Sequence, residues 1–382
     1  MKKPFAICYF FLLLTGCTPE KKVVAPMGIH TDTANIAYAK GFSIERFASG
    51  LTILTISSPW PNAEASFTYA LVPKEKQASI TLNKSEYDAI VSVPVETVIV
   101  TSTTHIPALE ALDVLHRLVG FPDTSYISSK AARARIASGG IIDVGINENL
   151  NAEAVLAVRP DLVVGFSISG EPSTYATLQR SQIPVVYNGD WMEETPLGKA
   201  EWIKFFAPFF NKEKKADSIF KNIETAYLNA KKIARTAARK PTVLSGALYK
   251  DVWYLPAGKS WAANFIKDAH AHYLWEETQE TGSHALSWES VLDTAKDADY
   301  WISPAQFTSY ADMNSSSVHY TQFDAFKNKT VFTFSKTVGE TGGSLYYELA
   351  PQRPDLVLQD LIHIFHKDVL PDYEPFFFKP LD

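Results

Sequence analysis

The chain has only two cysteines in 382 residues, Cys8 and Cys17, both near the start. The rest therefore holds no disulfide, no cysteine nucleophile and no zinc–thiolate site. It also lacks long apolar runs: beyond residue 14 nothing approaches the eighteen or so uninterrupted apolar residues of a membrane helix. Basic charge is in deficit, with 36 Lys and Arg against 42 Asp and Glu. A net-acidic body argues against nucleic acid as a partner, since that demands a basic face. Neither Gly-x-Ser-x-Gly nor His-Glu-x-x-His occurs, so an exported hydrolase, the enzyme alternative, has no visible machinery. The Gly-rich stretch Gly339-Glu340-Thr341-Gly342-Gly343 lacks the lysine of a phosphate loop and reads as an ordinary loop.

What is present begins at the front. Met1-Lys2-Lys3, the apolar run Phe10-Phe11-Leu12-Leu13-Leu14 and Thr15-Gly16-Cys17 make a short basic start, an apolar core and a small-residue end. That is the pattern of an export signal, and its Leu-Thr-Gly-Cys ending resembles the bacterial lipobox. Residues 1–16 are then a lipoprotein signal peptide, and Cys17 is the lipidated first residue of the mature protein. Loss of Lys2 and Lys3 makes the formal charge of −6 more negative still. Residues 17–40 lack periodicity and read as a flexible tether.

The remaining length exceeds what one core usually organises and favours two lobes. Leu51–Ile56 and Phe67–Val72 alternate around Pro59-Trp60-Pro61-Asn62, so residues 41–94 read as an added β-hairpin extension. From Val95 short buried strands (97–100, 141–144, 161–165, 183–187) alternate with helices (107–118, 152–158, 174–182), the pattern of parallel sheet built from βαβ units. Residues 95–210 are thus a first lobe. Between 211 and 240 the alternation stops: Ala216, Ile219, Phe220, Ile223, Tyr227 and Ile233 recur at helical spacing without Pro or Gly. This predicts one long amphipathic helix, a strut between lobes. Alternation resumes in 241–382, with helices at 261–268, 287–294 and 354–365 and strands at 242–245, 300–302 and 331–334. The fold class expected is α/β, two Rossmann-like lobes joined by a single long interlobe helix. A faint echo links them: Glu153-Ala-Val-Leu156 precedes Asp161-Leu-Val-Val164, and Glu289-Ser-Val-Leu292 precedes Asp299-Tyr-Trp-Ile302.

Asn149-Leu150-Asn151-Ala152-Glu153-Ala154-Val155-Leu156-Ala157-Val158-Arg159-Pro160-Asp161-Leu162-Val163-Val164 resembles the N-x-E-x-(I/V)-L-x-x-x-P-D-L-V segment of the iron-siderophore, haem and cobalamin class of periplasmic binding proteins, the solute receptors of ABC importers. Pro256-Ala257-Gly258-Lys259-Ser260-Trp261, Ser287-Trp288-Glu289-Ser290-Val291-Leu292 and Arg353-Pro354-Asp355-Leu356 are similar to further pieces of that family. The resemblance spans about residues 94–370. It implies a receptor on the periplasmic side of a membrane, held there by the lipid alone, that delivers an iron complex or cobalamin to a permease and its ATPase. It further implies a monomer with no cofactor of its own beyond iron or cobalt carried by the ligand. One glutamate per lobe, Glu153 and Glu289, matches the family's permease-docking positions.

Ligands in such folds sit beyond the carboxyl ends of the strands. The aromatics in those loops, Trp191, Trp253, Trp261, Tyr254, Tyr126 and Phe166, are therefore the candidate contacts for a large flat ligand. Arg133 and Arg135 would attract an anionic chelate, and His105 or His284 could serve as a haem axial ligand. A Zn/Mn-type receptor is the alternative. It needs three or four converging His, Asp or Glu, and the nine histidines here are scattered.

Overall fold

The computed structural model describes residues 29–63, 65–147 and 149–382. The signal peptide, Cys17 and the first half of the expected tether lie outside the described residues.

The chain opens with a five-stranded sheet, in sequence order: β1 His30–Thr33, β2 Phe42–Phe47, β3 Thr52–Ser57, β4 Ser66–Pro73 and β5 Ala89–Val93. The first three pairings are antiparallel and β4–β5 is parallel. The expected hairpin, β3–β4, is thus the centre of a larger sheet. One face (Phe42, Ile44, Leu54, Ile56, Tyr69) joins the core of the first lobe, and Ile53 and Val72 on the other lie under the excursion between β4 and β5. The alternation of apolar residues along β2 and β3 serves both faces.

The tether expectation needs correction from residue 30 onward. The buried Glu201 carboxylate accepts the backbone N–H groups of Ala37 (3.0 Å), Tyr38 (2.7 Å) and Ala39 (2.9 Å) and binds Lys204 Nζ (2.8 Å). Glu193 accepts those of Lys40 (2.8 Å) and Gly41 (2.9 Å). Two buried carboxylates thus hold a stretch without apolar periodicity, which is why composition alone read it as loose. Glu201→Ala strands these donors and a lysine, and should lower stability by about 3–5 kcal/mol in chemical denaturation. A change below about 1 kcal/mol would show the clamp to be idle.

The first lobe carries a parallel sheet. Its strands are β6 Val98–Val100, β7 Leu118–Phe121, β8 Ile142–Asp143, then (after a ribbon, β9 Gly145–Ile146 and β10 Asn149–Leu150) β11 Leu162–Gly165 and β12 Val185–Tyr187, in the order β12-β11-β6-β7-β8. Helices α1 His105–Ala111, α2 Lys130–Ala137, α3 Ala152–Val158, α4 Ser173–Arg180, α5 Pro196–Glu201 and α6 Ile203–Phe206 surround it. Helix α1 is shorter than the pattern 107–118 foretold. Asp113 takes a positive φ of 59° just after it, and the chain re-enters the sheet as β7.

Helix α7, Glu213–Ala234, is the long helix, about 33 Å from end to end. Ala216, Phe220 and Ile223 belong to the core of the first lobe, Tyr227, Ala230 and Ala234 to that of the second. One apolar stripe therefore threads both cores. It ends at Ala234, earlier than the sequence pattern indicated, and Ile233 stays exposed.

The second lobe repeats the plan with β13 Thr242–Ser245, β14 Ala247–Tyr249, β15 Val252–Pro256, β16 His272–Tyr273, β17 Ser283–Ser287, β18 Tyr300–Ile302, β19 Val331–Thr333 and β20 Lys379–Pro380. Its main sheet runs β16-β13-β18-β19-β20, with only β20 antiparallel, and β14-β15-β17 form a small antiparallel sheet. The helices are α8 Trp261–Asp268, α9 Trp288–Ala295, α10 Tyr310–Ser316, α11 Asp324–Lys327, α12 Leu345–Leu349 and α13 Pro354–Phe365.

The echo between halves has a structural counterpart. The Asp161 N–H donates to Thr97 Oγ1 (3.0 Å), and its carboxylate takes the Thr97 N–H (3.3 Å). Asp299 and Thr242 do the same, at 3.0 and 2.8 Å. Each aspartate locks the start of its strand to the neighbouring strand of its sheet.

Candidate functional site

Two chambers lie where the lobes face each other. Chamber 1, about 560 Å³, is walled on the first lobe by loops that leave the carboxyl ends of β6, β7 and β11: Thr101, Ser102 and Thr103, then Pro122 and Asp123, then Phe166. Tyr126, Ser128 and Asn147 continue that wall, and Gly343, Ser344, Tyr347 and Glu348 close it from the second lobe. Chamber 2, about 490 Å³, lies between Trp191, Glu193 and Lys199 of the first lobe and Tyr254, Pro256, Ser260 and Trp261 of the second. The Phe166 and Trp191 rings meet edge-on, centroids 5.7 Å apart, so the chambers share an aromatic wall.

The front sheet takes part. Pro61, in the turn between β3 and β4, lines chamber 2, and the Pro59 carbonyl accepts the Trp191 indole N–H at 3.2 Å. A segment with no sequence-derived role thus fixes the rotamer of a cleft tryptophan.

Glu348 fastens the lobes at the edge of chamber 1. From α12 its carboxylate accepts the backbone N–H groups of Ser128 (2.7 Å) and Ser129 (3.0 Å), just ahead of α2. The Gly-rich loop earlier in the chain makes this approach feasible. A Cβ on Gly339 would lie 2.7 Å from the Ser128 Cα, and one on Gly343 would lie 3.1 Å from its Oγ. Burial pushes the Glu348 carboxyl up to about 7, opposed by the two N–H donors and reinforced by the nearby Glu110 charge. The folded protein then holds this proton more tightly than the unfolded chain. The resulting stability is full below the ordinary carboxyl range and is lost as pH rises through about 7, an effect on the order of 3 kcal/mol. The melting temperature should fall between pH 5 and pH 8, and Glu348→Gln should flatten that fall. Identical pH profiles in the two proteins would contradict it.

The structure places the expected contacts unevenly. Tyr126 and Phe166 line chamber 1, and Trp191, Tyr254 and Trp261 line chamber 2. Trp253 is a correction. It is fully buried, packs on Trp301 and Phe323, and donates its indole N–H to the Ser245 carbonyl (3.1 Å). Residues on β15 alternate in direction, so exposed Tyr254 and buried Trp253 exclude one another from the same face.

His105 is likewise interior, fully buried at the start of α1 against Phe206, where burial pulls its pKa down. It has no opening through which to reach a ligand. Arg133 and Arg135 turn back to main-chain carbonyls, Arg133 to Thr124 (2.7 Å) and Arg135 to Leu118 and Gly140 (both 3.1 Å), and line neither chamber. His284 stands on β17 opposite Leu255, next to Ser283 of the chamber 2 lining but itself outside it. Tyr347, Glu348 and Lys199 went unrecognised in the sequence. The available signal was the glycine loop directly ahead of Tyr346-Tyr347-Glu348.

Glu153 and Glu289 both sit exposed at the second position of a helix, α3 and α9. Each helix is capped by a side chain, Asn151 or Ser287, that accepts the N–H three residues on.

Residues 98–338 match the family of periplasmic binding proteins. The chain belongs to that family. The family and the fold are those of substrate-binding transport proteins. The chain's fold is similar to that of a possible iron-binding (periplasmic solute-binding) protein from Staphylococcus epidermidis, at TM-score 0.55 and 17% identity over 72% of this chain and 100% of that one. It is similar too to a periplasmic heme-binding protein from Pseudomonas aeruginosa, at TM-score 0.55 and 17% identity over 75% and 98%. An uncharacterised lipoprotein of Methanocaldococcus jannaschii is 28% identical over 298 residues, 76% of this chain and 69% of its own length. Among the described residues, no helix of this binding protein is long and apolar enough to cross a membrane.

Proposed function

We propose that this protein is a lipid-anchored, extracytoplasmic receptor that captures a whole metal complex (ferric siderophore, haem or corrinoid) between its lobes and hands it to an ABC importer. The observation that carries this reading is the pair of aromatic-walled chambers at the carboxyl ends of the first-lobe strands. Each has the volume of a small-molecule site, and together they suit a ligand larger and flatter than one chamber could hold. Two fold neighbours are named for iron or heme binding, and the relative named a lipoprotein agrees with the reading of Cys17. Glu153 and Glu289, one exposed carboxylate per lobe, are proposed as the charges that meet the permease.

Bare Zn²⁺ or Mn²⁺ is the competing ligand. It calls for converging side-chain ligands, and among the described residues no group of three His, Cys, Asp or Glu is placed to hold an ion. Titration of tryptophan fluorescence with haemin, cobalamin and ferric siderophores tests the reading. Quenching by one of them at micromolar concentration or below is expected. Stabilisation by Zn²⁺ or Mn²⁺ alone would overturn it.

A further inference from the structure

Lys199 is the one feature of chamber 2 that loop-fixing alone does not account for. It lies in α5 and is only 8% exposed, yet it lines the chamber. Its ammonium donates to the carbonyls of Asp190 (3.1 Å) and Trp191 (2.8 Å) and stands 5.6 Å from the centre of the Trp261 ring. An ammonium has three donors, and these two bonds use two of them. No carboxylate lies within ion-pair distance of it among the described residues. Burial pulls its pKa down to about 8, against the charges of Asp190 and Glu193. Those charges act only at a distance, an ammonium buried outside any direct ion pair is costly to keep, and a charge-assisted bond to an incoming anion would be correspondingly strong. Glu193 and Glu194 also line chamber 2, but Glu193 is taken up by the N–H groups of Lys40, Gly41 and the Trp202 indole, and Glu194 pairs with Lys40 at 3.3 Å.

From this we infer that chamber 2 is an anion-receiving subsite, in which Lys199 takes a carboxylate or phosphate carried on an arm of the ligand. Trp191 and Trp261 border that arm, and the metal-bearing body occupies the hydroxyl- and phenol-lined chamber 1. The inference deepens the receptor reading and rests on it. It also explains why a lysine holds the turn that carries Trp191: the same ammonium positions the ring and presents a charge beside it.

The test compares ligands with and without the anionic arm. The probes are haemin against haemin dimethyl ester, cobalamin against dicyanocobinamide, which lacks the phosphate, and neutral ferrichrome. In the wild-type protein the tightest binder should carry the arm and exceed its stripped counterpart at least tenfold. That margin should shrink as pH rises through about 8, where the lysine loses its charge, and should vanish in Lys199→Met. Equal affinity within the pairs, a margin that persists in Lys199→Met, or ferrichrome as the tightest ligand would each overturn the subsite and leave the receptor intact. If none of the complexes binds, the receptor reading itself fails and the subsite with it. Should Lys199→Met not fold, the paired ligands and the pH series on the wild-type protein decide the matter alone.

Discussion

Replacing Glu153 and Glu289 together by lysine should abolish ligand import in cells and leave the Kd for ligand within about twofold. Both carboxylates are exposed on short helices, and neither lines chamber 1 or chamber 2. A lysine in the first turn of a helix opposes the helix dipole, but that costs only about 0.3–1 kcal/mol at each site. Across an interface the consequence is far larger. In the proposed docking, two favourable charge encounters would become like-charge contacts costing several kcal/mol each, and electrostatic steering would reverse sign. Either reversal alone should slow import without ending it, because one lobe still engages. Uptake of labelled ligand, measured beside fluorescence titration of the purified variant, separates the outcomes. Lost affinity with folding intact would refute the docking role, as would normal import by the double variant.

The second large effect separates two tryptophans that look alike in the sequence. Trp253→Ala should cost about 3–5 kcal/mol of stability, because it empties the centre of an aromatic cluster with Trp301, Tyr320 and Phe323. The melting temperature should fall markedly, and the protein that stays folded should bind ligand almost normally. Trp261→Ala should do the reverse. Its ring borders chamber 2, packed on Phe265 and stacked 6.0 Å from Tyr346. Its loss should cost about 1 kcal/mol of stability and roughly tenfold in affinity, as for a buried aromatic anchor. Calorimetry and titration on the two variants give the comparison directly. A binding defect in Trp253→Ala at a temperature where it is folded would return that residue to the cleft.

The contrast shows which parts of the molecule were legible in the sequence. Periodicity is a backbone-scale signal, so α8, β18 and α13 fall where their patterns placed them, and α7 was visible from its stripe alone. Helix α1 was overrun because a positive φ at Asp113 leaves no mark on hydrophobic spacing. The direction of a side chain in a short strand is another matter. Trp253 and Tyr254 share their loop-like flanks, and only the register of β15 against β17 decides which one is buried. The arginines misled for a related reason: Arg133 and Arg135 have charges suited to a chelate, but nearby carbonyls bind them first. Lys199 and Glu348 were invisible because their meaning comes from partners far along the chain. Glu348 reaches residues 128 and 129 across the cleft, and Lys199 faces a tryptophan some sixty residues on. The clamp on residues 37–41 is of the same kind, since its carboxylates come from Glu193 and Glu201.

The most direct test of the account is the position of the metal in a crystal grown with the tightest-binding complex, read from the anomalous signal of its iron or cobalt. A single strong peak is expected between the lobes, in chamber 1, with the ligand body lying against Tyr126, Phe166 and Tyr347. A peak outside the cleft, beside an accessible histidine such as His284 or His319 with both chambers free of ligand, would contradict it.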